Sequence, residues 1–369
     1  MSHRRLTIFA VAALGALVGS GAAGTEITPR AVLVLPFDAS GLASGDQWMG
    51  EGIAQLISLG LARHPAFAQV ERARLGTVSG ADLWSEMQVR QAAHDVHADA
   101  ALYGRIGRKD TALVLEPRLL DLKRDHPETM SLEPMTMADA DLVTSVASLP
   151  AAYARALGVA LTDHECDRIE RAARPTRSLR ALELFTGAQM AFDAGAHARA
   201  ADLLGRALAV DSTFPVAQYT LGVIHAALGN RWKAAVQFRA ATQIDPAFPE
   251  PYKALGDLFL GAPRQLFNQA IEAYSFAIKL RPFYADAHVG LGDARAAKGD
   301  AEGATAAYRA ALALDPVNPR THLRLGKIYA AQGRCFDAAN AYARAIELDP
   351  RAAEARLGVP EDVCLQLAR

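Results

Sequence analysis

Side chains able to bind a metal ion or move a proton gather at two places in the sequence. Residues 164–167 read His-Glu-Cys-Asp, and His94 and His97 lie three positions apart in a stretch with helical spacing. A protein zinc site uses three or four ligands, commonly pairs of histidines or cysteines, and neither group supplies such a set. We therefore predict packing or surface roles for these side chains and no metal site.

Glycine-rich segments that hold phosphate groups are also incomplete. The glycines between Gly41 and Gly52 are not followed by the Gly-Lys-Ser/Thr of a phosphate-binding loop. Gly290 and Gly292 begin a dinucleotide fingerprint, but no predicted strand precedes them, so helix packing explains them better. The sequence also lacks a Gly-x-Ser-x-Gly turn. With no set of acid, base and nucleophile, the sequence predicts a protein that is not an enzyme and uses no cofactor.

The composition is that of a globular protein. The chain has 369 residues, of which 51% are hydrophobic and 21% charged, and its net charge is −1. Leaving out the segment 1–23 removes Arg4 and Arg5 and no acid, so 37 bases face 40 acids and the charge is −3. This near-neutral balance gives no support to nucleic-acid binding. The length allows two or three domains.

The amino terminus has the layout of a secretory signal peptide. Two arginines, Arg4 and Arg5, precede an apolar run, and small residues follow up to Ala23. The run is shorter than the roughly 20 residues of a membrane-spanning helix. We expect residues 1–23 to be removed and the protein to be exported to the periplasm with no transmembrane span. An uncleaved amino-terminal anchor is the alternative.

Residues 24–162 alternate short apolar runs with segments of helical spacing. Ala31 to Leu35 and Ala100 to Ile106 are typical of buried strands because they are short and continuously apolar. The predicted order is strand, helix, strand, helix and two paired strands, with or without a further strand near Thr129, and then a last helix. This order predicts a small α/β domain.

One pattern repeats five times between Ala181 and Ala352. A small residue recurs in the first predicted helix of each copy, with successive spacings of 34, 34, 36 and 34: Ala188, Gly222, Gly256, Gly292 and Gly326. A small residue lets two helices approach closely, while an aromatic such as Tyr342 fills the space beside it. Proline follows most of the second helices and ends them. The pattern predicts helix pairs at 181–214, 215–248, 249–284, 285–318 and 319–352.

This period and pattern resemble the tetratricopeptide repeat. In the last copy the family positions are held by Leu325, Gly326, Tyr329, Gly333, Ala338, Tyr342, Ala345 and Pro350. The resemblance implies an all-α right-handed superhelix, or solenoid, whose concave groove binds a protein or peptide. We expect residues 353–369 to form a closing helix.

In that family the groove is lined by the second, fifth, ninth and twelfth residues of each repeat. Carried onto this chain, these positions imply an apolar end in the first two repeats and a charged end in the last three. The candidate groove residues are Leu182, Phe185, Gln189, Phe192, Tyr219, Val223, Lys253, Asp257, Asp293 and Lys327. The same wall also includes Val216, Glu250, Asp286, Val289, Arg320 and Leu323. A second interpretation makes Phe185 and Phe192 a cap, covered by the segment before the array.

A further resemblance covers residues 31–122, which look like the amino-terminal domain of TolB and related exported proteins. A strand ending in Leu-Pro-Phe at Phe37 leads through a glycine-containing loop into a helix. Later positions of that family are matched by Asp99, Gly104 and Asp121. The resemblance implies a docking module rather than a catalyst.

Residues 163–180 are predicted to be a basic linker between the two units. Arginines recur in it at every third position: Arg168, Arg171, Arg174, Arg177 and Arg180. A solvated connector is one interpretation, because acidic residues offset part of the charge. Contact with an anionic lipid or an acidic partner is the other.

The three cysteines allow one disulfide within the chain. Cys335 begins the second helix of the last repeat, and Cys364 lies in the closing segment, where a helix would return antiparallel to it. A bridge between Cys335 and Cys364 and a pair of buried free thiols are both compatible with these positions.

The sequence therefore predicts an exported, non-catalytic adaptor. It holds a protein or peptide in the groove of its repeats, and its α/β domain serves as a second docking module. In one alternative the α/β domain binds a small molecule and acts as a sensor or enzyme accessory. In the other the protein assembles with itself in the envelope, and a homo-oligomer is compatible with the sequence.

Overall fold

The structure is a computed structural model that describes residues 29–69, 85–124 and 127–350. The predicted signal peptide at 1–23 and the predicted closing helix at 353–369 lie outside these residues. Within them, no helix combines the length and the apolar character needed to cross a lipid bilayer.

The amino-terminal unit is built on one mixed sheet of six short strands. The strands are β1 (Arg30–Val34), β2 (Phe67–Gln69), β3 (Ala100–Lys109), β4 (Ala112–Asp121), β5 (Thr129–Ser131) and β6 (Met135–Met137). β1 pairs in parallel with β2 and β3, and β3 pairs antiparallel with β4, which also pairs with β5 and β6. The strands expected from the apolar runs are present, and the expected strand near Thr129 is two strands.

Helices cover both faces of this sheet. The side chains of β1 alternate, so that Leu33 packs on one face and Val32 and Val34 on the other. α2 (Glu86–Asp95) covers the first face through Val89. α1 (Trp48–Leu61) covers the second face, together with α3 (Leu142–Val146) and α4 (Leu149–Ala156). The single last helix that we expected is divided into α3 and α4, and Pro150 stands at the start of α4.

The residues predicted to form a linker contain a packed helix, α5 (Asp163–Ala172). Thr162 caps its first turn by accepting a hydrogen bond from the Glu165 backbone N–H at 3.3 Å, and the Glu165 side chain accepts one in return from the Thr162 N–H at 2.9 Å. The Ile169 side chain is fully buried where α5 packs against α1 and α4. The segment is thus packed on the side of Ile169, whereas four of its five arginines are exposed: Arg171, Arg174, Arg177 and Arg180.

Ten more helices follow, and each of the five predicted repeats contains two of them. The pairs are α6 (Leu179–Asp193) with α7 (His197–Val210), α8 (Pro215–Ala227) with α9 (Arg231–Ile244), α10 (Pro249–Leu260) with α11 (Phe267–Leu280), α12 (Ala285–Lys298) with α13 (Ala301–Leu314), and α14 (Pro319–Ala331) with α15 (Cys335–Leu348). Four of the pairs turn on a glycine in the left-handed region, with φ between 72° and 90°: Gly195, Gly229, Gly299 and Gly333. In the third pair the turn is longer and runs from 261 to 266.

The recurring small residue lies beneath an aromatic ring of the same pair. A Cβ atom added to Gly222 would lie 2.5 Å from the Phe238 ring, well inside van der Waals contact. The same arrangement recurs for Gly256 beneath Tyr274, Gly292 beneath Tyr308 and Gly326 beneath Tyr342. In the first pair Ala188 replaces the glycine and Leu204 replaces the aromatic residue. The larger side chain on the first helix is thus accommodated by a smaller one on the second helix.

The α/β unit packs directly on the start of the helical array. α1 contacts α6, and Gly52 on α1 lies against Thr186, whose hydroxyl donates a hydrogen bond to the Gln55 side chain at 3.2 Å. One continuous apolar core runs from the sheet into the first two helix pairs, from Ile53 to Phe214 and Ile224. The α/β unit thus covers the apolar end of the array.

We expect Gly222→Ala to lower the free energy of unfolding by about 1–3 kcal/mol, because the new methyl group overlaps the Phe238 ring. Adding Phe238→Leu, which reproduces the Ala188 and Leu204 combination of the first pair, should recover part of the loss. Urea denaturation followed by circular dichroism measures both effects.

The matched control is Gly205→Ala in α7, where no atom lies within 4 Å of the added methyl group. There alanine should leave stability unchanged or raise it by about 0.5–1 kcal/mol through helix propensity. Equal stabilities of the Gly222→Ala and Gly205→Ala proteins would contradict the packing argument.

Candidate functional site

The first helices of the last three pairs line an open groove. α10, α12 and α14 contribute most of the walls of a cavity of about 480 Å³. Its charged lining residues are Lys253, Asp257, Asp286, Asp293, Arg320 and Arg324. Three acidic and three basic side chains therefore face one concave surface.

Two of the aspartates are held in place by tyrosines of the second helices. The Tyr274 hydroxyl donates a hydrogen bond to Asp257 at 2.7 Å, and the Tyr308 hydroxyl donates one to Asp293 at 2.7 Å. Burial raises the pKa of both tyrosines, and the neighbouring carboxylates raise it further, so the hydroxyls stay protonated and act as donors. The same tyrosine rings pack over Gly256 and Gly292.

The two fixed aspartates are also paired with cations. The Lys253 ammonium lies 2.9 Å from Asp257, and the Arg324 Nε lies 2.7 Å from Asp293. Asp286 and Arg320 are exposed, and neither has an ion-pair partner among the residues that the structure describes. The groove therefore presents one acidic and one basic side chain that no described residue neutralises.

The predicted apolar end of the groove is not open. Leu182 and Phe185 are 1% and 3% exposed, and the Phe185 ring packs 5.1 Å from the Phe214 ring, centre to centre. Both side chains belong to the core that continues into the α/β unit. Their burial excludes Leu182 and Phe185 as binding residues of an open groove. The alternative in which Phe185 and Phe192 form a cap fits Phe185, whereas Phe192 is only half-buried.

The other apolar candidates are half-buried. Tyr219 lies between the Phe238 and Phe248 rings, with centroid distances of 5.8 and 5.4 Å. Phe192 packs 5.2 Å from the His197 ring. Gln189 and Val223 are also half-buried, while Lys327 is exposed. Of the ten predicted groove residues, only Lys253, Asp257 and Asp293 line the cavity described above.

Arg324 is a groove residue that the sequence did not reveal. It is the sixth residue of its repeat, and the family pattern places the sixth position outside the groove wall. Its guanidinium nevertheless lines the cavity and donates to Asp293, which belongs to the preceding repeat. Spacing alone gives no signal for this pair. Asp293 and Arg324 are 31 positions apart in two adjacent repeats, whereas Glu250 and Arg281, at the same separation, form an ion pair within the third repeat.

Arg63 of the α/β unit contacts the helical array at the loop between the second and third helix pairs. The Arg63 guanidinium lies 3.6 Å from Asp245 and 3.5 Å from Glu250, donates to the Ala247 carbonyl at 3.4 Å and stacks 4.8 Å from the Phe248 ring centre. Burial lowers the pKa of Arg63, and the two carboxylates oppose this shift. The contact attaches the end of α1 to the loop between the second and third pairs.

The residues that match the TolB-like pattern have roles within the fold. Asp99 accepts a hydrogen bond from the Ala31 backbone N–H at 2.8 Å, and Asp121 pairs with Arg30. Gly104 has no room for a side chain, because an added Cβ would lie against the Glu116 carbonyl oxygen. These residues tie neighbouring strands together.

Neither group of metal-binding side chains is completed in three dimensions. The His94 and His97 rings are 6.5 Å apart, and the described ranges contain no group of three or more residues arranged to hold a metal ion. Cys166 is a free thiol and Cys335 is disulfide-bonded. Cys364 lies outside the described residues, so its pairing with Cys335 stays a prediction.

We expect Phe185→Ala to lower the free energy of unfolding by about 3–5 kcal/mol, because it removes a buried ring from the core between the two units. Affinity for a groove-bound partner should not change, since Phe185 does not reach the open surface. Thermal denaturation together with binding measurements on the folded fraction tests both statements.

Met190→Ala in the same helix is the control, because that side chain is 56% exposed and its removal should change stability by no more than about 0.5 kcal/mol. A Phe185→Ala protein of normal stability and reduced affinity would show that Phe185 contacts the partner.

Comparison with known families supports the repeat pattern. The family model described as TPR repeat matches residues 292–333, and the one described as tetratricopeptide repeat matches residues 323–359. No curated protein matches the chain.

Several solved structures are similar to about half of this chain. MamA from Desulfovibrio magneticus is 21% identical, with 47% of this chain and 97% of that chain covered and a TM-score of 0.43. YrrB, described as a TPR protein with an unusual peptide-binding site, is 20% identical, with 48% and 90% covered and a TM-score of 0.41. A thermophilic TPR protein of Thermus thermophilus is 23% identical, with 51% and 100% covered and a TM-score of 0.40.

The family matches fall on the last two helix pairs, and the earlier pairs repeat the same packing of a small residue against a larger one. The chain thus carries tetratricopeptide repeats in a mostly helical solenoid, which follows a small amino-terminal sheet unit.

Proposed function

We propose that this protein is an exported, non-catalytic adaptor that holds an extended segment of a partner protein in the groove of α10, α12 and α14. The observation that carries the proposal is the groove itself, in which Asp286 and Arg320 have no ion-pair partner in the described part of the chain. The repeats support it, because stacked repeats of this kind build extended concave surfaces that bind other proteins.

The two unpaired charges define the chemistry of the partner. Asp286 favours a lysine or arginine of the partner, and Arg320 favours a carboxylate. The two residues stand at the same position of successive repeats. Packed helices are about 8–10 Å apart, and an extended chain advances about 3.3 Å per residue. Side chains of an extended segment face the same wall only at even spacings, so a basic and an acidic residue two or four positions apart fit both charges.

The paired charges have a different role in this proposal. Lys253 with Asp257, and Arg324 with Asp293, keep the groove walls in one arrangement before the partner arrives. A preorganised surface binds more tightly, because less side-chain entropy is lost on association. These pairs are thus positioning groups rather than the main contacts.

The proposal also includes a second docking surface on the α/β unit and export of the protein to the periplasm. The resemblance to the TolB amino-terminal domain supports a second docking surface on the α/β unit, so that one adaptor holds two partners. The layout of residues 1–23 supports export to the periplasm. Sequencing the amino terminus of the protein recovered from the cell envelope tests the export, and a start near residue 24 is the expected result.

The rival proposal, a small-molecule site in the loop after β1, is weakened by the contacts of Asp38. Its carboxylate accepts a hydrogen bond from the Ser40 backbone N–H at 3.0 Å and pairs with Arg105 at 3.3 Å. Phe37 and Gly50 close the same loop through a backbone hydrogen bond of 3.0 Å. The one carboxylate at the start of the loop is therefore engaged in holding the loop itself.

The direct test is selection of peptides from a random display library on the protein that begins at Gly24, followed by affinity measurements on the tightest binder. Enrichment of segments that carry a basic and an acidic residue two or four positions apart is the expected result. No enrichment above a bare support would contradict a peptide-binding groove.

We expect Asp286→Lys and Arg320→Glu each to weaken binding of the selected peptide by roughly tenfold, about 1.4 kcal/mol. Both side chains are exposed and unpaired among the described residues, so neither change should unfold the protein. Affinity should also fall with increasing salt, because the contacts are charged. Fluorescence anisotropy at several salt concentrations measures these effects.

The matched control is Arg199→Glu on α7, an exposed arginine outside the groove. Its affinity should equal that of the unchanged protein. Equal losses for Arg199→Glu and Arg320→Glu would mean that net charge, not the groove, determines binding.

A further inference from the structure

A second cavity lies between the α/β unit and the array, away from the groove. Its volume is about 270 Å³, and it is enclosed by the residues after α1, by α5 and by the loops that follow α9 and α11. Three arginines line it together with prolines and an aromatic ring: Arg63, Arg168, Arg281, Pro249, Pro282 and Phe283. The lining thus combines three cationic side chains with apolar ones.

Two of the three arginines have carboxylate partners. Arg63 lies 3.6 Å from Asp245 and 3.5 Å from Glu250, and Arg281 lies 2.9 Å from Glu250. Arg281 also stacks 3.6 Å from the centre of the Tyr284 ring. Two acidic residues therefore balance these two cations.

Arg168, the third arginine, lacks such a carboxylate partner. Its Nε atom is buried and has no hydrogen-bond partner, and no ion pair joins its guanidinium to any described residue. Glu165 on the same helix interacts with Arg168 electrostatically but forms no ion pair with it. Its carboxylate instead accepts a hydrogen bond from the Thr162 hydroxyl at 2.8 Å and lies 3.5 Å from the His64 ring nitrogen. The Arg168 guanidinium therefore lines the cavity without a described ion-pair partner, and an oxyanion bound there would supply one.

We propose that this cavity binds a small organic anion, whose carboxylate or phosphate group pairs with Arg168 and whose apolar part packs on Pro249, Pro282 and Phe283. The planar guanidinium suits an oxyanion because it donates two parallel hydrogen bonds. Asp245 and Glu250 already balance Arg63 and Arg281, so Arg168 supplies the positive charge for the ligand, and a cavity of about 270 Å³ suits a small molecule.

The position of the cavity gives the ligand a structural effect. Arg63 and Arg168 belong to the α/β unit and its following helix, whereas Pro249, Arg281 and Pro282 belong to the repeats. A ligand that contacts both sides stabilises their packed arrangement, because it binds the folded interface and not the unfolded chain. Binding should therefore raise the melting temperature of the whole protein.

The test uses the protein that begins at Gly24, with benzoate and phenyl phosphate as probes and sodium chloride at equal ionic strength as the reference. Calorimetric titration and thermal denaturation are measured for the unchanged protein, Arg168→Gln and Arg168→Lys. We expect one or both probes to bind and to raise the melting temperature. Arg168→Gln should weaken binding at least fivefold, and Arg168→Lys, which keeps the charge without the planar fork, should weaken it less.

Arg171→Gln is the control, because Arg171 is an exposed arginine of the same helix that does not line the cavity. It should bind the probes as the unchanged protein does. Which probe binds more tightly tells a carboxylate ligand from a phosphate. The proposal is overturned if neither probe acts beyond chloride, or if Arg168→Gln folds normally and binds as well as Arg171→Gln.

Discussion

The contact between a first-helix glycine and a second-helix aromatic ring is the interaction on which the rest of the array depends. It brings the two helices of a repeat together, and it also shapes the groove, because in the third and fourth repeats the same ring ends in a hydroxyl. The Tyr274 and Tyr308 rings pack over Gly256 and Gly292. Their hydroxyls donate hydrogen bonds to Asp257 and Asp293, respectively. Packing and groove charge are therefore fixed by the same side chains, and a change in either disturbs the other.

A stacked array must also cover its first repeat, and here the α/β unit does so. A lone first helix would expose the face that inner repeats bury against their predecessor. α1 occupies that place, and the apolar core continues through it without interruption. The consequence for function is a division of the concave surface. Leu182 and Phe185 at the apolar end belong to the protein's own interior, and the charged end in the last three repeats stays open.

Much of this architecture follows from local sequence, and the division of the groove does not. The period, the turn glycines and the prolines predict the helix pairs, because glycine and proline determine the backbone conformation at their own positions and the same signals recur in each repeat. Burial of Phe185 is only one of two interpretations of the sequence, because contacts between distant residues decide it. The hydrogen bond from the neighbouring Thr186 to Gln55 joins residues 131 positions apart. The arginines of the predicted basic linker also have different surroundings. Arg180 pairs with Glu183 on its own helix, whereas Arg168 lines a cavity that is completed by loops distant in sequence.

Hydrogen–deuterium exchange with and without the tightest selected peptide tests the central claim most directly, because it reports which helices the partner covers. The account predicts added protection in α10, α12 and α14 and none in α6, whose inner side is already buried by the α/β unit. Added protection concentrated in α6 and α8, with no change in the last three repeats, would contradict it and would mean that the α/β unit moves aside to expose the apolar end.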